Sequence, residues 1–171
     1  MQKNTKNSKP EYIVHPLKPV YDEKSEILIL GTMPSPKSRE YGFYYSHPQN
    51  RFWRILSDLY GEPLPKTNGE KTVFLLSHRI AIWDVLKSCR ISGADDGSIK
   101  EPVPNDIASL LHRTGIKKVF TTGTKAASLY RRLCLPKTGI KAFPLPSTSP
   151  ANRRYYTYEK LLEAYKAILT R

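Results

Sequence analysis

The stretch "EILILG", residues 26–31, decides the fold. It is a short apolar run that ends in a glycine, which is typical of a strand buried on both faces and followed by a tight turn. The same format returns in "KKVFTTG" (residues 117–123) and in "IKAFPLPSTSP" (residues 140–150), and "RIAIWDVL" (residues 79–86) is a fourth candidate strand. These runs predict a small, mostly parallel sheet of four strands.

Helix signals alternate with the strands. They lie in "HPQNRFWRILSDLYG" (residues 47–61), "PNDIASLLHRTG" (residues 104–115) and "YTYEKLLEAYKAILTR" (residues 156–171). Pro48 fits a first helical turn and Gly61 a stop, while Asn105 and Gly115 fit the cap and the stop of the second helix. The segments between these elements, residues 59–72 and 91–104, are predicted to be connecting loops. The alternation predicts an α/β fold, a three-layer α/β/α sandwich.

The chain of 171 residues is 39% hydrophobic, which is enough for one domain whose core needs neither metals nor disulfides. We predict a disordered basic N-terminus over residues 1–10 and a single domain over residues 11–171. The prolines of "HPLKPVYDEKS" (residues 15–25) favour extended backbone, so this segment is predicted to be an arm, with the packed fold beginning near Glu26.

The formal net charge of +13 is unevenly placed. Residues 113–171 hold thirteen Lys or Arg against two Glu, so eleven of the thirteen excess charges lie there. Beside 11% aromatic residues, this excess favours a nucleic acid over a membrane surface as the partner. The alternative is a basic protein with no polyanionic partner.

The compartment and the cofactors follow from what the sequence lacks. No apolar run approaches the roughly 20 residues of a membrane span, and the start "MQKNTKNSKPEY" has no apolar signal-peptide region, so we predict a cytoplasmic protein. Cys89 and Cys134 belong to no CxxC pair, so we predict no zinc site and no iron–sulfur cluster, and we expect no metal and no cofactor.

The predicted topology also places the site. In open parallel sheets ligands bind outside the carboxyl ends of the strands, which here are residues 31–35, 121–125 and 146–152. The segment "GTMPSPKSREYGFYYSHPQNRFW", residues 31–53, starts at one of these ends and is dense in aromatic rings and amide groups. We therefore expect the site at this edge of the sheet.

Five blocks of the sequence form a recognisable set of motifs. They are "GTMPS" from Gly31, "YYSHPQNRFW" from Tyr44, "IWDVL" from Ile82, "VPND" from Val103 and "LPSTSPANRRY" from Leu145. The set resembles the uracil-DNA glycosylase superfamily, and most of all its hypoxanthine-DNA glycosylase family, from about His15 to Tyr158. The resemblance implies a monofunctional DNA glycosylase of base excision repair. Such an enzyme flips a deaminated base, hypoxanthine or also uracil, out of DNA and hydrolyses its N-glycosidic bond.

One residue departs from the superfamily pattern. Where the mismatch-specific branch has its water-activating Asn, this sequence has Met33, whose thioether can neither orient nor deprotonate water. The resemblance to the hypoxanthine family then implies Asn50 as the catalytic residue, with water as the nucleophile. The alternative is that Asn50 only ties down its loop through backbone hydrogen bonds.

The remaining predicted site residues fall into two groups. Those expected to bind the substrate are Gly31, Thr32, Met33, Pro34, Ser35, Tyr44, Tyr45, Leu145 and Ser147. Those expected to bind DNA are Lys125, Thr148, Ser149, Asn152, Arg153 and Arg154. Tyr45 is predicted to stack on the flipped base, with the core as the alternative, whereas Phe52 and Trp53 are predicted to be core. Helix-start roles are predicted for His47 and Asp84, and the alternative for Asp84 is that it orients the Asn or the water.

Two further alternatives stay open on the sequence alone. Lys125 is expected to meet a phosphate, but it could equally be a solvated surface lysine. The whole chain could be a non-catalytic binder of damaged or single-stranded DNA that has lost its catalytic residue at Met33. In either case we expect a monomer whose partner is lesion-containing DNA.

Overall fold

The computed structural model describes residues 8–169. They form the strands β1 (Glu11–Val14), β2 (Ile27–Gly31), β3 (Ile80–Asp84), β4 (Leu86–Ser92), β5 (Asp95–Pro104), β6 (Lys118–Thr122) and β7 (Ala142–Leu145). The helices are α1 (Pro36–Tyr41), α2 (Phe52–Tyr60), α3 (Asn68–Ser77), α4 (Ile107–Arg113), α5 (Thr124–Leu133), α6 (Leu135–Thr138) and α7 (Tyr158–Tyr165), with 3₁₀ turns at Pro150–Asn152 and Lys166–Leu169. The predicted N-terminal disorder falls mainly on residues 1–7, which lie outside the described residues.

The central sheet is parallel and has the strand order β3-β2-β6-β7. In the middle, Ile29 of β2 lies opposite Ile82 of β3 and Phe120 of β6. All of β2 is buried, and its side chains alternate between two cores, with Ile29 in one and Leu30 in the other. The prediction of four parallel strands is confirmed.

Helices cover both faces of this sheet. On one face α2, α3 and α7 bury Ile55, Leu75 and Leu161, and on the other α4 and α5 bury Leu110 and Leu129. The predicted three-layer α/β/α architecture is therefore confirmed. No helix within residues 8–169 is long and apolar enough to cross a membrane.

The start of α2 differs from the prediction. The helix begins at Phe52, so His47 and Pro48 lie in the preceding turn and not at a helix start. The Gln49 N–H donates to His47 Nδ1 at 3.1 Å, and this local side-chain bond stabilises a turn in place of helix. The predicted stop at Gly61 is confirmed, because its φ of 64° is a left-handed conformation that suits glycine.

The boundaries of α4 are also corrected. Asp106 caps the helix by accepting from the Ser109 N–H at 3.1 Å, whereas Asn105 donates its side-chain amide to two carbonyls around the β3–β4 turn. The helix ends at an extended Thr114, so Gly115 is not its stop. Asn105 and Asp106 are both residue types that can cap a helix. Because the side-chain amide of Asn105 is hydrogen-bonded to the carbonyls of the turn, Asp106 caps α4.

The prediction of a loop over residues 59–72 is wrong at its C-terminal end, where α3 begins. The side chain of Thr67 accepts from the Glu70 N–H at 3.0 Å, and the Glu70 carboxylate accepts from the Thr67 N–H. This reciprocal pair is a capping box, which a Thr followed three residues later by a Glu can form.

A second sheet is absent from the prediction. It is antiparallel, has the order β1-β4-β5, and includes residues 91–104, which are predicted to be a loop. Its strand β1 starts at Glu11, so the fold begins well before Glu26. The arm that follows runs along β3, where Val20 and Ile82 exchange two backbone hydrogen bonds. The antiparallel sheet thus packs beside the end of β3, next to the predicted site.

Candidate active site

A cavity of about 280 Å³ lies at the carboxyl ends of the parallel strands. It is lined by Gly31, Thr32, Met33, Pro34, Ser35, Ser38, Tyr44, Tyr45, His47, Asn50, Asp84, Ile91, Gly93, Ala94, Asp96, Thr122, Ser147, Thr148, Ser149, Pro150 and Ala151. A larger cavity of about 540 Å³ lies at the amino ends of β2 and β6, and none of the predicted site residues lines it. The smaller cavity is therefore the candidate site.

Gly31 ends β2 beside the cavity, and three oxygen atoms crowd its Cα. A Cβ on residue 31 would lie 2.5 Å from Asp84 Oδ1, 3.1 Å from the Tyr45 hydroxyl and 3.6 Å from Thr122 Oγ1. Real Cβ atoms do not approach a carboxylate oxygen to 2.5 Å, so any side chain here would displace the polar groups. Glycine is the residue that permits this close approach.

Tyr45 is held rigidly at the cavity. Its ring stacks on Phe52, with centroids 3.9 Å apart and planes at 15°, and its hydroxyl hydrogen-bonds Thr122 Oγ1 at 2.9 Å. Burial raises the pKa of Tyr45 well above its usual value, so the hydroxyl stays protonated. Phe52 and Trp53 are buried in the core, and this prediction is confirmed.

Both hydrogen bonds of the Asn50 side chain reach its carbonyl oxygen. Oδ1 accepts from the Phe52 N–H at 3.0 Å and from the Thr148 hydroxyl at 2.8 Å. A carbonyl oxygen has two lone pairs, so these two donors occupy both lone pairs of Oδ1. Asn50 therefore ties the start of α2 to the loop after β7, and its Nδ2 amide is the part left for a ligand.

The loop after β7 is folded by its own polar side chains. Asn152 Nδ2 donates to the Ser147 carbonyl at 2.9 Å, and the Ser149 N–H donates to Ser147 Oγ at 3.2 Å. The backbone N–H of Arg51 donates to the Thr148 carbonyl at 3.2 Å. These bonds bring Ser147, Thr148 and Ser149 to the cavity.

Asp84 and His15 form a buried pair at the cavity, with side chains 5% and 2% exposed. Asp84 ends β3 and caps no helix, which corrects the predicted helix-start role. The Leu17 N–H donates to His15 Nδ1 at 3.2 Å, so the ring proton is on Nε2, and Nε2 donates to Asp84 Oδ2 at 2.7 Å. This pair is missing from the prediction, because 69 residues separate its members and no local pattern joins them.

The β4–β5 hairpin closes one side of the cavity with Gly93, Ala94 and Asp96. Thr32 Oγ1 donates to Asp96 Oδ2 at 3.3 Å. Although Asp96 is exposed as a whole residue, burial of its carboxyl group raises its pKa to about 6, opposed by the Thr32 hydrogen bond and reinforced by Asp84. The two turn residues are Gly93, with a φ of 57°, and Ala94, and a Gly-X pair between two candidate strands is a hairpin signal that would have found this element.

Some predicted residues lie away from the cavity. Leu145 is in the core and 3% exposed, and its carbonyl accepts from a backbone N–H at the start of α5. Leu145 therefore supports the sheet. Lys125 lies in the first turn of α5, and its charge lowers the pKa of Asp96. Arg153 and Arg154 are exposed next to the loop after β7.

Comparison with known proteins agrees with this arrangement. The family model described as the uracil DNA glycosylase superfamily matches residues 18–169. A protein named hypoxanthine DNA glycosylase from Methanosarcina acetivorans is 37% identical over 137 residues, which cover 80% of this chain and 86% of that protein. A protein of the same name from Methanosarcina barkeri is 36% identical over 137 residues, with the same shares of the two chains covered.

A solved structure shares the fold. It is the solution NMR structure of a candidate uracil DNA glycosylase from M. acetivorans, which matches with a TM-score of 0.75 and 31% identity and covers 90% of this chain and 97% of its own. The predicted superfamily and the predicted class of enzyme, a DNA glycosylase, are confirmed. The chain belongs to the uracil DNA glycosylase superfamily.

Proposed function

We propose that the protein removes hypoxanthine from DNA by hydrolysing its N-glycosidic bond, and that uracil is a second substrate. The observation that carries this proposal is the cavity at the strand ends, where the residues after β2, Tyr45 and the loop after β7 meet. The similarity to two proteins named hypoxanthine DNA glycosylase supports the choice of base. Of the predicted residues, Met33 contributes an apolar wall without a titratable group.

A base inside a duplex must be flipped out before the bond to its sugar can be reached, which costs a few kcal/mol of lost stacking. Tyr45 is suited to replace that stack, because its ring lines the cavity and Phe52 supports it from one side. A rigid ring loses little entropy when the base arrives, so most of the stacking energy of about 1–3 kcal/mol is available.

The departing purine carries negative charge as the bond to its sugar breaks. Asn50 can stabilise this charge through Nδ2, a preorganised donor that does not titrate. Its Oδ1 is held by Phe52 and Thr148, which fixes the direction of the amide plane. We therefore retain the catalytic role of Asn50 and assign it to the leaving base.

The hydrogen-bond donors of such a cavity determine which base the enzyme accepts. Hypoxanthine has O6 where adenine has an exocyclic amine, so a donor directed at O6 would meet another donor in adenine. Adenine would leave two buried groups unpaired, and it is also held more firmly in its duplex pair. Uracil offers O4 to the same donor in a looser fit, which makes it the weaker substrate.

The proposed enzyme works as a monomer in the cytoplasm. Cys89 and Cys134 are free and buried, which suits a reducing compartment. Exposed Arg153 and Arg154 follow the loop after β7, where they can bind the phosphates of the damaged strand.

The test is base release from a duplex that contains one inosine. We expect the protein to leave an abasic site, so that the strand breaks only after alkali, and to act equally well in EDTA. A matched adenine duplex should stay intact, and a uracil duplex should react more slowly. Tight binding of the inosine duplex without release would instead support the non-catalytic binder, and cleavage before alkali would contradict a monofunctional enzyme.

A further inference from the structure

We propose that Asp84 holds and deprotonates the attacking water, and that His15 positions its carboxylate. This inference rests on the proposed hydrolysis and concerns the group that replaces the missing polar residue at Met33. Asp84 comes from β3, the strand next to β2, and therefore reaches the same cavity from a different element.

Neither Met33 nor Asn50 offers the attacking water an acceptor. Met33 has no group that can orient water. Asn50 has a suitable oxygen, but the Phe52 N–H and the Thr148 hydroxyl already occupy it. A water held for attack on C1′ needs a strong acceptor in the cavity, and that acceptor must come from elsewhere.

Asp84 has such an acceptor in Oδ1. His15 occupies the other carboxylate oxygen, Oδ2, and no described residue donates a hydrogen bond to Oδ1. Asp84 lines the cavity, and its Oδ1 lies 2.5 Å from where a Cβ of Gly31 would be, so this oxygen faces the end of β2 at the edge of the cavity. A carboxylate oxygen with access to the cavity is a stronger base than an amide oxygen.

His15 fixes the direction of this carboxylate. Its Nδ1 accepts from the Leu17 N–H, so the ring can donate only through Nε2, and it donates to Asp84 Oδ2 at 2.7 Å. This hydrogen bond holds the Asp84 carboxylate next to the place where positive charge develops on the sugar. His15 touches no reacting atom and acts through Asp84.

The step balances without any other reactant. The C1′–N9 bond of the nucleotide breaks and its electron pair leaves with the purine. The water oxygen forms a bond to C1′, and one water proton passes to Asp84 Oδ1. That proton is then transferred to the purine anion, so the products are the free base and an abasic deoxyribose, and Asp84 is a carboxylate again.

The experiment compares single-turnover hypoxanthine release by wild type, Asp84→Asn and Asp96→Asn. Asp84→Asn keeps the size of the side chain and is expected to lower release by about 100-fold or more while duplex binding stays within a few-fold. Asp96→Asn removes the same charge from the same cavity and is expected to cost less than about 10-fold. Equal losses in the two variants, or near wild-type release by folded Asp84→Asn, would overturn the proposal.

A second pair of variants tests His15 and decides the question alone if Asp84→Asn does not fold. His15→Gln can still donate to Asp84 and is expected to keep most of the release rate. His15→Phe fills the space without a donor and is expected to lose about 10-fold or more. Equal rates for the two variants would reduce His15 to a packing residue and overturn its positioning role.

The two proposals fail in different ways. If wild type releases neither hypoxanthine nor uracil, the proposed function is wrong, and Asp84 then has no hydrolysis to catalyse. If wild type is active and all of these variants are active too, the function stands and the assignment of Asp84 is wrong.

Discussion

The two sheets of this protein contribute to the same cavity by different means. The parallel sheet supplies Gly31, Asp84 and Thr122 directly from the ends of its strands. The antiparallel sheet supplies Asp96 from the tip of a hairpin and, just after β1, His15. The first group is fixed by a buried core, whereas the second is placed by long-range pairing of β4 with β1 and β5, two strands that have no buried residue. We therefore expect a rigid catalytic edge at the ends of the parallel strands and a more adjustable wall at the β4–β5 hairpin.

Prediction one tests the rigid edge and has the largest expected effect. Gly31→Ala should lower base release by at least about 100-fold, because the new Cβ would displace Asp84 Oδ1 or the Tyr45 hydroxyl, and misplacement by about 1 Å has that cost. Overpacking should also lower the free energy of unfolding by about 1–3 kcal/mol. Single-turnover release and urea denaturation measure the two effects.

Gly69→Ala is the matched control for this substitution. Gly69 lies in the exposed first turn of α3, where the added Cβ would meet only Thr67 Oγ1 at 3.9 Å. Alanine there should stabilise the helix by up to about 1 kcal/mol and leave release unchanged. Full activity of Gly31→Ala would show that the oxygen atoms around residue 31 can move freely, which would contradict a rigid edge.

Prediction two separates the two roles of Asn50. Asn50→Asp keeps an oxygen for Phe52 and Thr148 but loses the Nδ2 donor, so the fold should survive while base release falls about 100-fold. Asn50→Ala should lose the same activity and in addition about 1–2 kcal/mol of stability, because two donors lose their acceptor. Thermal melts and single-turnover assays measure both. Near wild-type release by folded Asn50→Asp would leave Asn50 a purely structural residue.

Prediction three concerns Tyr45, which joins the cavity to the core. Tyr45→Ala should lose roughly 1–3 kcal/mol of productive binding for inosine and uracil sites alike, because stacking does not distinguish the bases. Tyr45→Phe keeps the ring and loses only the bond to Thr122, so it should lose much less. Release rates across both substrates measure this. A loss confined to inosine would mean that Tyr45 distinguishes between the bases. No loss in either variant would mean that Tyr45 is a core residue and does not stack on the base.

The sequence predicts the parallel sheet better than it predicts the antiparallel sheet. Residues 26–31 are a continuous apolar run, so burial alone indicates β2 and its Gly31 turn. The hairpin has register shifts along β4 and β5, and β5 has no buried residue, so neither strand shows a clean alternation. Asp84 lies in "WDVL". An Asp that precedes apolar residues has the pattern of a helix N-cap, so the sequence predicts a helix start there. His15 has no signal until β1 pairs with β4.

Prediction four tests the adjustable wall through Asp96. Its pKa of about 6 in the folded protein lies above the ordinary aspartate value of 3.8, so the folded state binds more protons than the unfolded state between these values. The stability that Asp96 contributes is present below about pH 4 and is lost as the pH rises through about 6. Asp96→Asn should therefore be more stable than wild type at pH 7.5, by at most about 1 kcal/mol because the residue is partly exposed, and similar to it at pH 4.

The matched control for Asp96 is its exposed neighbour on the hairpin. Asp95→Asn changes the net charge equally, so it shows what the loss of one hairpin carboxylate does to stability at each pH value. Thermal melts of the three proteins at both values measure the difference. If Asp96→Asn behaves like Asp95→Asn, the carboxyl of Asp96 is solvated and the hairpin wall is more open than the structure indicates.

The last and smallest prediction asks which region meets the DNA backbone. Each phosphate neutralised contributes about −0.9 to the slope of log affinity against log salt, so Lys125→Ala and Arg153→Ala should each flatten the slope by about one unit. Lys100→Ala, on exposed β5, should leave it unchanged if the antiparallel sheet faces away from the strand. Lys125 also lowers the pKa of Asp96, so an unchanged slope for Lys125→Ala would mean that this lysine serves the hairpin wall and not a phosphate. Fluorescence anisotropy on an undamaged duplex between about 50 and 200 mM salt measures all three slopes. A flattened slope for Lys100→Ala would show that the antiparallel sheet binds DNA as well, and the distinction between the two regions would then hold for catalysis alone.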